Sequence, residues 1–194
     1  NIVISIKGSN DLPEISGPDA GSVTEDIASD NQASGQLMVS DDDVLDGHTW
    51  NLEGSPATNA SPASYQGLYG TITLTASGLW EYTLDDTKVD FLAANETRKE
   101  TFDVLVDDGH SGQDSTQIVI TINGTNDAPN ISGDTTLLIK EDQNSGSISG
   151  DLNTGDVDLT DDHVWGLAAN EDGAGRYGTF SIDPDSGSWT YVID

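Results

Sequence analysis

The chain contains no cysteine and only six lysines and arginines in 194 residues. Without cysteine there is no disulfide framework, no thiol nucleophile and no Cys-ligated zinc. Against those six cations stand 35 aspartates and glutamates, for a formal charge of −29. That balance excludes a nucleic-acid binder, which needs a basic face for phosphates. Helical spacing is scarce, no run of about 18 apolar residues offers a helical membrane span, and the N-terminus shows no signal-peptide pattern. The sequence has no H-E-x-x-H zinc motif and no G-x-S-x-G nucleophile elbow. A compact state this acidic repels itself unless cations neutralise part of the charge. A small extracellular module without disulfides needs another staple, and bound metal is the usual one.

What is present is alternation with a period of two. Phe102, Val104 and Val106 form one apolar face, and Ile118, Ile120 and Ile122 another. Trp80, Tyr82 and Leu84 repeat the pattern, as do Ile72 and Leu74 between threonines; Leu37 with Val39 and Trp50 with Leu52 mark shorter strands. Clusters of Gly, Asn, Asp and Ser such as DDGHSGQD separate the runs. One stretch, KVDFLAANETRKE, is suited to a helical turn. This spacing of short strands predicts an all-β fold of tandem Greek-key β-sandwiches.

The chain also repeats itself. IVISIKGSNDLPEISG at 2–17 returns as IVITINGTNDAPNISG at 118–133, with 11 of 16 positions identical. Such self-similarity is the mark of tandem modules. Further matches follow in order: TED at 24–26 with KED at 140–142, DDDVLDGHTW at 41–50 with DVDLTDDHVW at 156–165, YGTI at 69–72 with YGTF at 177–180, and SGLWEYTLD at 77–85 with SGSWTYVID at 186–194. The first copy carries an additional loop around GSPATNASPAS, whose composition places it outside the core. The registers predict the last strand and linker of a preceding module at 1–10, a complete module at 11–123, and a linker with the N-terminal part of the next module at 124–194. On this reading the natural protein continues at both ends, and Trp189, Tyr191 and Ile193 of the incomplete second module stand exposed.

Carboxylates recur at equivalent places in the two copies. The linker offers Asn126 and Asp127, with Asn10 and Asp11 as the earlier pair. A D-x-D follows at Asp156 and Asp158, with Asp41 and Asp43 as its counterpart, and an acidic turn stands at Asp107 and Asp108. Oxygen-rich clusters suit calcium, a hard cation that takes six to eight oxygens. The EF-hand loop does not fit, because Gly is missing from its sixth position and Glu from its twelfth. Catalysis by a carboxylate pair needs an apolar pocket to raise one pKa, and these acids lie in polar turns. His48 and His163 share a register beside a strand Trp and read as packing or hydrogen-bonding residues. Trp50, Trp80, Trp165 and Trp189 read as core rather than as a sugar platform. The chain reads as non-enzymatic.

TFDVLVDDGHSGQDSTQIVITINGTNDAPNI, with its Val-x-Asp-Asp-Gly turn, alternating strand and Asn-Asp-x-Pro linker, resembles cadherin-type modules. It is closer still to the VCBS repeats of bacterial RTX adhesins, as are SGxWxYxLD and ETFDVLVDDG. The resemblance spans essentially the whole chain. It implies a structural extender of a large secreted adhesin at the bacterial cell surface, serving adhesion and biofilm formation, with neighbouring modules of the same protein as partners. It further implies Ca2+ at the joints between modules, held by Glu25 of module one, Asn126 and Asp127 of the linker, and Asp156 and Asp158 of module two. Asp85 or Asp86 would stand in for the family's Asp-Arg-Glu motif, which the chain lacks, a departure that lowers the expectation to about one or two ions per joint. Asn10, Asp11, Asp41, Asp43 and Asp107 or Asp108 would form the equivalent upper joint. The alternative is a carbohydrate- or protein-binding module that uses the additional loop.

Overall fold

Strands follow wherever apolar residues alternate. A computed structural model of the chain describes residues 2–55, 62–140, 146–169 and 171–194, and its backbone divides into two compact units, Asn1–Thr125 and Asn126–Asp194. Most of the GSPATNASPAS loop (56–61), and Glu141 and Asp142 of the KED match, lie outside the described residues.

Unit 1 contains β1 (Glu14–Ser16), β2 (Ala20–Thr24), β3 (Gln32–Gln36), β4 (Met38–Ser40), β5 (Thr49–Leu52), β6 (Ala63–Gln66), β7 (Gly70–Leu74), β8 (Leu79–Leu84), β9 (Thr97–Asp107) and β10 (Gln113–Asn123). One sheet runs β2-β10-β9-β5 and the other β3-β8-β7-β6, with β1 and β4 paired beside them. β10 lies between β9, antiparallel to it, and β2, parallel to it. That parallel pair is made by segments about a hundred residues apart, a non-local closure of the sandwich. The inward residues of both sheets form one core of Val23, Ile72, Trp80, Tyr82, Phe102, Val104, Ile118, Ile120 and Ile122 among others. The expected helical turn is a 3-10 turn at Asp86–Lys88, which overlaps only the start of KVDFLAANETRKE. From Thr97 the alternation of β9 takes over.

Unit 2 contains β11 (Asn130–Gly133), β12 (Ser147–Gly155), β13 (Gly178–Ile182) and β14 (Ser188–Ile193), in one sheet ordered β11-β12-β14-β13. β12 does the work of β3 and β4 together, pairing with β14 through its first half and β11 through its second. Small residues recur where the fold needs them. Gly17 and Gly133 both end their strands at φ near +100° (103° and 105°). A Cβ at either one would collide with a carbonyl, that of Gln36 or of Asp151. Among the described residues, unit 2 has no strand at 136–140 or at 163–167, where its sequence matches β2 and β5.

The expectation that Trp189 stands exposed is corrected by its packing. Its ring lies stacked on Phe180 at 5.5 Å, over Gly150, and is buried. The flat indole covers itself with one neighbour and the bare backbone of a glycine. Tyr191 and Ile193 are half-buried.

Candidate metal centres

In unit 1 the residues after β4 turn back on themselves before β5, and the aspartates of that turn organise it. Asp41 accepts the backbone N–H of Asp43 at 2.9 Å on one oxygen and contacts Nε2 of His48 at 3.1 Å with the other. Asp43 in turn accepts the N–H of Asp11 at 2.7 Å, which ties the entering chain to the turn. Such side-chain to backbone bonds are the ordinary business of Asp in loops.

A third element reaches the same place. Asp108, at the β9–β10 turn, accepts from Asn10 Nδ2 at 2.8 Å, from the N–H of His110 at 2.6 Å and from that of Gly112 at 2.9 Å. The Asn10 bond above all, with the two N–H groups, holds its carboxyl below the usual range. Asp41, Asp46 and Asp108 each present an oxygen within 4.8 Å of the others. His110 Nδ1 lies 3.0 Å from Asp46. Asp107 faces elsewhere: its carboxylate is occupied by Gln113 Nε2 at 2.5 Å and the N–H of Gly109 at 2.7 Å. Of the two acids in that turn, Asp108 is the one brought to Asp41.

Unit 2 rebuilds this turn bond for bond. Asp156 accepts the N–H of Asp158 at 3.1 Å and contacts His163 Nε2 at 2.9 Å, and Asp158 accepts the N–H of Asp127 at 2.8 Å. Asn126 donates to the carbonyl of Asp127 as Asn10 does to that of Asp11. The hydrogen bond from His163, followed by that from the Asp158 N–H, lowers the Asp156 pKa. Asn126, Asp127, Asp156, Asp161 and His163 line a hollow of about 250 Å3. Asp158 itself is only 2 % exposed, and its Oδ1 has no hydrogen-bond partner among the described residues. A buried carboxylate oxygen without a donor carries a desolvation cost that a bound cation would offset. The donor set of carboxylate and amide oxygens fits a hard cation such as calcium and offers no sulfur to a soft one.

At the other end of unit 1, Glu25 is buried and accepts the N–H of Thr125 at 3.0 Å. Asp26 beside it takes a left-handed backbone with φ 56°. Burial, then the nearby Asp26 charge, with Asp85 and Asp90 behind it, pushes the Asp86 carboxyl up. Asp86 Oδ1 is buried and has no hydrogen-bond partner among the described residues. Lys88 approaches Asp85 at 3.8 Å. Sequence reasoning did not place Asp26, Asp46 or Asp161 among the candidate ligands. For Asp46 and Asp161 the signal was their shared register in the two copies, and for Asp26 its position next to Glu25.

Comparison with known proteins adds the family. The sequence profile of the bacterial cadherin-like domain matches residues 10–124. No curated protein matches the chain. Among solved structures, mouse cadherin-23 EC22-24 is similar with a TM-score of 0.50 at 16% identity, covering 96% of this chain and 56% of that one. PcdhgB3 EC1-4 gives a TM-score of 0.51 at 16% identity, covering 94% and 41%. Human CDH23 EC21-23 gives 0.50 at 16% identity, covering 96% and 55%. The chain thus spans roughly two fifths to just over half of these structures, and at such identity the likeness concerns the fold alone.

Proposed function

The chain belongs to the bacterial cadherin-like domain family, and from that premise we propose that it is a calcium-rigidified extender of a large secreted bacterial adhesin. Its modules space a binding domain away from the cell surface, in adhesion and biofilm formation, and calcium at the joints between modules keeps the array stiff. The VCBS repeats of RTX-type adhesins are the subgroup this reading favours.

The observation that carries the reading is the duplicated turn, with Asp11, Asp43 and Asp41 in one unit and Asp127, Asp158 and Asp156 in the other making the same hydrogen bonds. Two identical arrangements of acids suit a role repeated along an array better than a single reaction. In this reading Asn126, Asp127, Asp156 and Asp158 hold an ion in unit 2, and Glu25 and Asp86 offer carboxylates to one at the far end of unit 1. Asn10, Asp41, Asp43, Asp46 and Asp108 hold the equivalent site one module earlier. Calcium would supply the positive charge that relieves repulsion among these carboxylates and fix the linker to the turn.

The test is calorimetric titration of the full chain with calcium, alongside thermal melting and small-angle scattering in calcium and in chelator. Extracellular modules bind calcium with dissociation constants of about 0.1–1 mM. At ten times that constant each site adds about 1.4 kcal/mol. The expected result is a raised Tm and a narrower spread of end-to-end distances, both reduced by Asp158→Ala and untouched by Asp19→Ala, which lies outside the clusters. Identical melting and scattering in the two conditions would overturn the proposal.

A further inference from the structure

Unit 1 takes in the chain and releases it at opposite ends of one short ladder. β2 runs parallel to the second half of β10, with Ala20 beside Val119 at one end and Thr24 beside Asn123 at the other. Tension carried along the chain therefore pulls β2 back towards Asp19 and β10 forward towards Thr125. In a parallel pair that tension runs along the strands and across the hydrogen bonds, so the five residue pairs bear it together. Antiparallel strands in the same places would be pulled from one shared end, and their pairs would open one after another.

This ladder is the weakest link in that path. β10 keeps eleven pairs with β9 on its other side, whereas β2 is an edge strand whose ladder, among the described residues, is with β10 alone. Side chains strengthen it at the end where the chain departs. Nδ2 of Asn123 donates to Ser22 Oγ at 2.9 Å and to the Val23 carbonyl at 3.0 Å, which braces β10 against β2. The Glu25 N–H donates to the Asn123 carbonyl at 3.1 Å, and the Thr125 N–H donates to Glu25 at 3.0 Å, so the two segments stay joined past the ladder. Between them the Gly124 N–H donates to the Glu96 carbonyl at 2.9 Å. A Cβ on Gly124 would collide with the carbonyls of Leu92 and Ala93, so the departing chain is seated directly on that backbone.

We propose that β2, the second half of β10 and the side chain of Asn123 form a mechanical clamp, which makes unit 1 resist tension along the chain severalfold better than tension across the ladder. Its function is to bear force, because rupture under force is governed by the barrier to unfolding rather than by equilibrium stability. The clamp needs no ion. Its bonds all lie within unit 1, and Asn123 is not among the candidate metal ligands, so the clamp stands or falls apart from the calcium reading.

The test is single-molecule pulling on the full chain in chelator. Because the chain has no cysteine, two introduced cysteines define the direction of the force. Asp19→Cys with Thr125→Cys loads the ladder lengthwise, and Asp19→Cys with Gln117→Cys loads it from one end. Either pair should release about 35 nm of chain, which identifies the same unit unfolding in both. At equal loading rate the lengthwise rupture force should be about two- to fivefold the one-ended force, since the pairs share the load in the first case only. This comparison leaves every side chain of the clamp in place. Adding Asn123→Ala should then speed unfolding under constant lengthwise force about tenfold, through the loss of its side-chain hydrogen bonds. The one-ended force should not change, because peeling from Asp19 reaches Asn123 last. Equal forces in the two directions overturn the inference. So does an Asn123→Ala effect of the same size in both directions, which would mean a general destabilisation of unit 1, and so does no effect in either, which would place Asn123 outside the barrier.

Discussion

Unit 1 closes two four-stranded sheets over a continuous core, while unit 2, among the described residues, forms one four-stranded sheet with one face in part uncovered. Yet the acidic turn is the same in both, down to the histidine on the first aspartate of D-x-D. The arrangement of those carboxylates therefore does not depend on closing the sandwich. Local Asp-to-backbone bonds and one linker N–H are enough to set it. What the second sheet adds in unit 1 is Asp108, brought by the long β9–β10 hairpin into reach of Asp41 and Asp46. Closure contributes stability and one more carboxylate; the rest of the turn is local.

The sharpest way to break this comparison is through the two tryptophans at matching registers. Trp80 is wholly buried and donates through Nε1 to the carbonyl of Pro18 at 2.9 Å. Trp80→Ala should cost unit 1 about 3–5 kcal/mol, the usual loss for truncating a large aromatic in a packed core. Trp189→Ala removes a ring packed on one sheet and on Phe180, with an apolar hollow walled by Leu137, Ile139 and Tyr191 on one side. It should cost unit 2 about 1–2 kcal/mol less than Trp80→Ala costs unit 1, because part of that ring's surroundings are already open. Denaturant unfolding of the two variants, followed by tryptophan fluorescence, checks the order. Equal losses would mean that unit 2 buries its tryptophan in as complete a core as unit 1 does.

A smaller effect separates the two matching tyrosines. Tyr82 is fully buried, and its hydroxyl donates at 2.7 Å to Glu100, itself buried. Burial, then that hydrogen bond, pushes the phenol pKa well above its ordinary value. The other Glu100 oxygen accepts from the backbone N–H groups of Leu68 and Tyr69. The carboxylate thus satisfies three donors in the interior of the sandwich. Tyr82→Phe leaves Glu100 one donor short and should cost about 1–3 kcal/mol. Glu100→Gln should cost a similar amount, because an amide cannot accept from all three. Tyr191, the counterpart in unit 2, is half-buried, and Tyr191→Phe should change stability by less than about 0.5 kcal/mol. A thermal shift as large for Tyr191→Phe as for Tyr82→Phe would break the distinction.

These pairs also mark what could be read from the sequence. The inward faces of β8, β9 and β10 were legible because alternation over six to eleven residues has one solution once one face is dry. The two copies of the acidic turn were legible because they are spelled alike. Trp189 was misjudged as exposed, since pattern alone does not tell that Phe180 and Gly150 lie close enough to cover an indole. Asp46 and Asp161 were visible in the repeat but not singled out among so many acids. Nor could spelling decide between Asp107 and Asp108. That choice rests on which of two adjacent carboxylates the hairpin turn points towards Asn10, and it is a matter of three-dimensional reach. The parallel pairing of β2 with β10 is set by closure across the whole unit, so no local signal announces it.

The smallest expected effect tests whether the far end of unit 1 is built for a cation. Asp86 has a raised pKa from burial and from the charges of Asp26, Asp85 and Asp90. The sign follows from linkage. A carboxyl whose folded pKa lies above its unfolded value of about 3.9 binds its proton more tightly when folded, so it favours folding at low pH. That contribution fades as the pH rises from the unfolded value through the raised one, and at neutral pH the charged group opposes folding. In chelator at pH 7, Asp86→Asn should therefore stabilise unit 1, by about 0.5 kcal/mol given the partial solvent screening at this site. Below pH 3 the gain should vanish, because the wild-type carboxyl is then protonated in both states. In calcium the sign should reverse, since the substitution removes an anionic ligand while the ion would already have cancelled the repulsion. Melting curves of the wild-type chain and Asp86→Asn, in chelator and in calcium and at both pH values, read all three arms. A variant that is less stable than wild type in chelator at pH 7 would show that Asp86 is held by unit 1 itself rather than kept for an ion.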